Sequence, residues 1–341
     1  MEKATIATRL TERLDIRCPV ISAGMGGPAR SELAAAVSEA GGFGLLGMVR
    51  EPPALIETEI AAVMSRTSRP FGVNLIPFAT DPKLLQDELA VCFNARVPAM
   101  CFFWEVDPRV IAQAKKAGSL VLYQVGSLED ALLAESAGAD VVIVQGVEAG
   151  GHVKGTLPLA VMLPEVVDKL KIPVVASGGI ATGRSIAAAL ALGADGVHCG
   201  TAFLASEESF AHEFHKRRIV EAKPGDTILT DLFAINWPPN SPVRVLRNSV
   251  SDGAADHLWG NHPDRLPREV IGYEGERPIY KYSTDSPLKS MTGDFEKMGL
   301  FAGESAGFVN AIQPAARVLE TMMEEAVLAI RNLNGALIGR L

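Results

Sequence analysis

The chain has 341 residues, a formal net charge of −8 and only 6% aromatic residues. The acidic balance argues against nucleic acid or an acidic membrane surface as a partner, and the few aromatics argue against a platform for stacked bases. No run approaches the roughly 18 to 20 apolar residues of a membrane span, and Met1–Arg17 mixes both charge signs without an apolar signal core. Cys18, Cys92, Cys101 and Cys199 are scattered with no CxxC, three of them inside apolar runs. That is the pattern of reduced core thiols, and a cytoplasmic location is expected.

Short β-rich runs recur along the chain: Cys18–Ala23, Gly42–Gly47, Phe71–Ile76, Ala99–Trp104, Leu120–Val125, Val141–Gly146, Pro173–Ser177 and Gly196–Phe203. Most are nearly continuous apolar runs, as in parallel strands covered on both faces. Segments of helical composition lie between them, such as Ser31–Ala40 and Ser127–Ala137, where Ser127 and Asp130 predict a capping box. The punctuation Ala40-Gly41-Gly42, Ala117-Gly118-Ser119, Ala137-Gly138-Ala139-Asp140 and Leu192-Gly193-Ala194-Asp195 marks helix ends just before strands. Eight such units by about residue 203 predict an α/β fold, a (β/α)8 TIM barrel, over an open doubly wound sheet that would look the same locally.

After Phe203 the pattern breaks. Glu207–Arg218 is charged and predicts a helix, Pro238–Pro287 is rich in Pro, Gly and Asp, and Ala311–Leu333 predicts a long amphipathic closing helix. The expected organisation is a barrel over 1–206, an inserted smaller segment after strand eight over 207–300 near the barrel mouth, and a C-terminal helix completing the barrel in 301–341.

Two glycine loops point to an anion. Strand seven ends in Ser177-Gly178-Gly179-Ile180 and strand eight runs into Gly200-Thr201. In this barrel class a phosphate often sits between those two loops, where glycines let backbone amides approach it. A third loop, Gly24-Met25-Gly26-Gly27-Pro28-Ala29, fits G-x-G-x-x-G/A with Glu51 near the spacing of a ribose-binding acid, a dinucleotide fingerprint. A barrel-top loop against a flat ring is the better reading, because eight units fit a Rossmann fold poorly.

His152 follows strand six in Gln145-Gly146-Val147-Glu148-Ala149-Gly150-Gly151-His152. Catalytic residues of such barrels stand just past the strands, and an imidazole there can exchange protons near neutral pH. His212 and His215 read as a solvated helix face without a third metal ligand, His198 as packed in the barrel, and His257 and His262 as loop residues. No metal site is expected.

These segments together resemble the nitronate monooxygenase family, also called 2-nitropropane dioxygenases. The resemblance is carried by Ala23–Gly27 (AGMGG), Ala34–Gly44, Phe71–Asn74 (FGVN), Gln145–His152 (QGVEAGGH), Ala176–Thr182 (ASGGIAT), Gly200–Phe203 (GTAF) and Phe301–Gly307, spanning about residues 18–310. It implies non-covalent FMN, with the phosphate on Ser177, Gly178, Gly179, Gly200 and Thr201. The ring system would meet Met25 and Gly26, with Asn74, Gln124 and Gln145 as polar neighbours and Gly150 and Gly151 close by. His152 matches the family's active-site histidine. The implied reaction is oxidation of alkyl nitronates, with nitroalkanes as further substrates, by oxygen to carbonyl compounds and nitrite or other nitrogen oxides. Small molecules and oxygen are the implied partners, and a homodimer is compatible with the family. Enoyl-acyl-carrier-protein reductases with a similar EAGGH loop, and NADH:quinone reductases of the same fold, are the alternatives within the flavin barrels. Outside them stand a phosphate-sugar isomerase or synthase barrel and a non-catalytic flavin carrier. His198, where relatives commonly carry Gln, and the AGMGG loop depart from the pattern and bear on the substrate.

Overall fold

A computed structural model describes residues 5–335. Eight parallel strands form one sheet: β1 (Val20–Ser22), β2 (Gly44–Gly47), β3 (Phe71–Leu75), β4 (Ala99–Phe103), β5 (Leu120–Val125), β6 (Val141–Gln145), β7 (Val174–Ser177) and β8 (Gly196–Cys199). Each pairs with its sequence neighbour from β2 to β8, and β1 pairs with β8 in the register Val20↔Val197. A parallel bridge Ile21↔Phe43 closes the circle, with Ser22 N donating to Phe43 O (2.9 Å) and Phe43 N to Val20 O (2.9 Å). The open-sheet alternative is thereby excluded.

The strand runs are continuously apolar because each face meets a separate core. Ile21, Leu45, Cys101, Leu122, Ile143 and Val175 fill the barrel interior. Their neighbours Val20, Leu46, Met100, Phe102, Val121, Tyr123, Val142, Val144 and Ala176 pack outward under the helices. A side-chain period of two thus sorts one apolar run into two cores. The helix Arg9–Leu14, capped by Thr8, sends Leu10 and Leu14 into the inner core at the N-terminal end of the strands. That plug leaves the C-terminal end as the open mouth.

The four glycine punctuation marks hold as expected: Gly41, Gly118, Gly138 and Gly193 all have φ between 88° and 103°, the left-handed conformation that stops a helix. Ser127 caps its helix by accepting from Asp130 N (3.1 Å), but the capping box is incomplete. The Asp130 carboxylate is held instead by Lys154 Nζ at 2.7 Å. Strand eight stops at Cys199, earlier than expected, and Thr201–Leu204 forms a helical turn. An apolar run alone does not separate a buried strand from a buried turn of helix.

The closing helix runs Ala315–Gly335, starting after Pro314; residues 336–341 of the expected C-terminal segment lie outside the described residues. It packs against the helices Gly183–Ala191 and Ser31–Ala40 and so takes the eighth helical place around the barrel. Gly183 permits the crossing, since a Cβ there would stand 2.2 Å from Ala326 N.

Between β8 and that helix the chain builds two small antiparallel sheets. In the first, β9 (Thr227–Thr230) pairs with β10 (Val243–Leu246), which also pairs with the two-residue strand Gly151–His152 in the register Val243↔His152. In the second, β11 (Val270–Glu274) lies between β12 (Arg277–Tyr280) and β13 (Met291–Gly293). The helix expected over Glu207–Arg218 covers Glu213–Val220, with His212 as its N-cap.

Candidate active site

A cavity of about 1090 Å³ opens at the C-terminal ends of the barrel strands. Every residue expected to hold the cofactor or act on the substrate lines it: Met25 and Gly26 after β1, Asn74 on β3, Gln124 on β5, Gln145 on β6, Gly150, Gly151 and His152 in the loop after β6, Ser177, Gly178 and Gly179 at the end of β7, and Gly200 and Thr201 after β8.

The loop after β6 is held from several directions. Gln145 donates through Nε2 to His152 O (2.9 Å) and accepts at Oε1 from Lys154 N (3.2 Å), so its amide fixes the loop backbone while facing the cavity. Arg244 donates through Nη2 to Val147 O (2.9 Å), and the Glu148 carboxylate accepts from Leu159 N (3.1 Å). Two-sided clamps of this kind fix a side chain's origin without using its own polar atoms.

His152 stands in an aromatic enclosure. Its ring stacks on Trp237 with centroids 3.8 Å apart at 22°, meets the edge of Trp104 at 6.2 Å and lies 6.1 Å from Phe301. Its Nε2 is shielded from solvent and has no hydrogen-bond partner among the described residues. Burial in this apolar box, helped by the Arg50 charge, pushes the imidazole down to about 3. His152 therefore stands neutral, and the same surroundings disfavour a standing cation there.

Glycines around the cavity serve different purposes. Gly178 (φ 107°) and Gly179 (φ 69°) are demanded by backbone conformation, and a Cβ on Gly179 would also press on Glu148 Cγ at 3.0 Å. Gly150 lines the cavity and also serves a close passage of the chain: its Cβ would fall 2.3 Å from Gly303 N. Gly26 and Gly200 meet neither demand. Both have φ outside the left-handed region, a Cβ on Gly26 would meet nothing within 4 Å, and one on Gly200 would reach only Ala23 and Met25, at 3.6 and 3.7 Å. Thr201 Oγ1 accepts from Gly303 N (2.9 Å), leaving its proton for the cavity, and Asn74 Nδ2 donates to Gly24 O (3.0 Å).

Several lining residues were not among those expected to hold the cofactor or act on the substrate. His198 on β8 is buried, as expected, yet it lines the cavity with Nδ1 2.9 Å from Ser177 Oγ, and burial lowers it to about 4. Trp237 comes from the inserted segment, and Arg50 from the loop after β2; Arg50 lies 4.7 Å over the Trp237 ring and donates to the Asn236 carbonyl. Arg50 was accessible to the rule that places functional residues just past barrel strands, but Trp237 sits in a stretch without periodicity.

The folded chain bears on two further sequence readings. Glu51 is bound to Arg30 at 2.8 Å in a barrel, so the dinucleotide fingerprint at Gly24–Ala29 lacks its fold and its free acid. His212 and His215 are not a solvated face: His215 is fully buried with Nε2 donating to Phe301 O (3.1 Å), and His212 caps its helix and packs on Phe295 at 4.1 Å. The downstream segment folds back over that helix, which residue spacing within the helix could not reveal. Among the described residues no group of three or more His, Cys, Asp or Glu could hold a metal ion. The four cysteines are buried, and burial pushes the thiols of Cys92, Cys101 and Cys199 up to about 12. No described helix is long and apolar enough to cross a membrane.

A closed barrel of eight parallel strands, with a half-buried histidine and glycine loops around a cavity at the strands' C-terminal ends, is the layout of a TIM-barrel enzyme. Comparison with known proteins supplies the family. The family model for nitronate monooxygenase matches residues 7–325, and the chain belongs to that family. A probable nitronate monooxygenase of Staphylococcus haemolyticus is 32% identical, covering 76% of this chain and 92% of that protein. One of Staphylococcus saprophyticus is 30% identical, covering 94% and 98%. Among solved structures, FabK from Thermotoga maritima matches with a TM-score of 0.82 at 33% identity, covering 98% of this chain and all of that one. Nitroalkane oxidase from Streptomyces ansochromogenes matches at 0.77 and 31%, covering 96% and 100%. The chain is an oxidoreductase.

The family implies a flavin, and the residues present fit one. The cavity lies at the upper end of the size range for a small-molecule site. Gly26 and Gly200 stand bare toward it without any need of the protein's own packing.

Proposed function

We propose that the cavity binds FMN and that the enzyme oxidises small alkyl nitronates, and nitroalkanes after loss of a proton, with molecular oxygen to carbonyl compounds and nitrite or other nitrogen oxides. The observation that carries this reading is the neutral, unpartnered His152 Nε2 in a dry enclosure at the cavity wall. Family membership and the likeness to nitroalkane oxidase support it.

FMN, when bound, supplies the centre that takes electrons from the substrate and passes them to oxygen. Ser177, Gly178, Gly179, Gly200 and Thr201 would hold its phosphate. Met25, Gly26, Asn74, Gln124, Gln145, Gly150 and Gly151 would border its ring system. His152 is the residue for the proton. A neutral imidazole can accept the proton from the carbon that bears a nitro group, while a substrate that arrives as a nitronate has no such proton to lose. Trp104, Trp237 and Phe301 keep the imidazole dry, which strengthens its interaction with any charge that develops beside it. Gln145 and Arg244 hold the loop that carries it.

The likeness to FabK favours a second reading, a nicotinamide-dependent flavin reductase. One comparison separates the two. The purified yellow protein, mixed with propyl nitronate under oxygen without nicotinamide, should consume the nitronate and oxygen together. Rapid anaerobic bleaching of the flavin by NADH or NADPH, with no nitronate consumption, would give the reductase reading instead.

A further inference from the structure

The stack on His152 leaves two polar atoms stranded. Trp237 is nine-tenths buried, its ring centroid lies 3.8 Å from that of His152, and the two planes are inclined by only 22°. His152 Nε2 and Trp237 Nε1 are both shielded from solvent, and neither has a hydrogen-bond partner among the described residues. Yet both residues line the main cavity. A buried N–H without an acceptor is costly, and neighbouring orphans at a cavity wall mark a place where a ligand's polar group belongs.

The backbone beneath the indole is firmly tied. Ile235 N donates to Tyr282 O (3.0 Å), Thr284 N to Ile235 O (3.1 Å) and Trp237 N to Ala234 O (3.1 Å). Arg50 grips the same loop at the Asn236 carbonyl and lies over the indole. With the backbone so tied, any rearrangement at this wall falls to the side chain, turning about its own bonds. In the stacked position it covers one face of the imidazole, with Trp104 and Phe301 on other sides.

We propose that the Trp237 indole is the movable wall of the substrate subsite: it closes over His152 in the stacked position, a substrate reaches the imidazole by displacing it, and Trp237 thereby sets the size of nitronate the enzyme accepts. The displaced indole offers its Nε1–H to the substrate's anionic oxygens. Narrow, unbranched nitronates need a small displacement, and branched ones a large displacement that the Arg50 contact resists. The proposal rests on the reading that His152 meets the substrate, so its test uses a reaction that needs no turnover.

Diethyl pyrocarbonate acylates neutral imidazoles, and the modification of each histidine can be followed by mass spectrometry in the holoenzyme. His262, with 42% of its side chain exposed, is the internal reference. The expected result is that His152 in the Trp237→Leu variant reacts at least about tenfold faster, relative to His262, than in the unaltered enzyme. In Trp237→Phe, which keeps a flat ring, the rate should stay within about twofold. Equal His152 rates in the unaltered and Leu proteins overturn the proposal. Should the Leu variant fail to fold, tryptophan emission decides in the conservative pair. Anaerobic addition of propyl nitronate should shift the emission of the unaltered enzyme and leave that of Trp237→Phe unchanged; identical responses in the two overturn it. With turnover available, Trp237→Leu should also raise kcat/KM for a branched nitronate relative to a linear one. Loss of nitronate activity in every protein would refute the oxidase reading without touching the labelling result.

Discussion

The barrel and the inserted segment contribute to the same cavity by different means. On the barrel side Gln124, Gln145, Ser177 and His198 project from strands locked in an eight-membered parallel ladder, so their positions follow from register. On the inserted side Trp237 comes from a loop bent by left-handed residues, Asn236 (φ 72°) and Asn240 (φ 60°), and Arg277 and Tyr280 come from a three-stranded sheet with a register shift. The barrel places the groups that would do chemistry, and the insertion covers them. The two meet at one seam, where Val243 pairs with His152 and Arg244 reaches Val147 O. The loop that carries His152 is thus a barrel loop recruited as the edge of the insertion's sheet.

The largest effect expected on the barrel side is loss of the cofactor in Gly200→Asp. Gly200 has ordinary φ and ordinary contacts for a Cβ, so the fold should survive while a carboxylate enters the phosphate site. Flavin affinity should fall by at least about tenfold, roughly 1.4 kcal/mol, read as flavin absorbance after gel filtration. Full flavin content in a folded Gly200→Asp protein would remove the phosphate from this loop. Gly179 is the poorer choice, because its φ of 69° strains any substitution.

A smaller effect is expected deeper on the barrel side, beneath the loop after β2. Glu88 is fully buried beneath the Arg50–Glu51 backbone, neither carboxylate oxygen completes a hydrogen bond, and burial raises its pKa to about 8. The folded state therefore favours the protonated acid. The associated stability is present below the unfolded value near 4.5 and is lost as pH rises through about 8. Glu88→Gln should change Tm little at pH 5 and raise it at pH 9, by about 2 °C or more. An equal shift at both pH values would mean that Glu88 is not protonated in the folded protein.

How much of this was legible depends on what the sequence encodes locally. The strands were found because both faces of each are buried, and the helix stops because left-handed glycine is a local requirement at Gly41, Gly118, Gly138 and Gly193. His152 and the glycine loops were singled out because barrel geometry puts function just past strand ends, and the fold brings them to the wall of one cavity. The Arg9–Leu14 plug was missed because two leucines in six residues give too short a pattern to read. The enclosure around His152 was missed because Trp237 and Phe301 arrive from segments about 85 and 150 residues downstream, through pairings that only the folded chain specifies. The burial of His215 escaped for the same reason.

The central claim is that a neutral His152 in this enclosure handles the substrate proton, and His152→Ala with paired substrates tests it most directly. The variant should keep its fold and flavin spectrum. Turnover of a neutral nitroalkane should fall by about 100- to 10,000-fold, the usual worth of general acid–base catalysis, while turnover of the matching nitronate falls far less. Because burial holds the imidazole down to about 3, the unaltered enzyme's nitroalkane rate should show no loss attributable to His152 protonation between pH 5 and 8. Equal losses on both substrates would contradict the proton-transfer role, and a fully active His152→Ala enzyme would take His152 out of the mechanism.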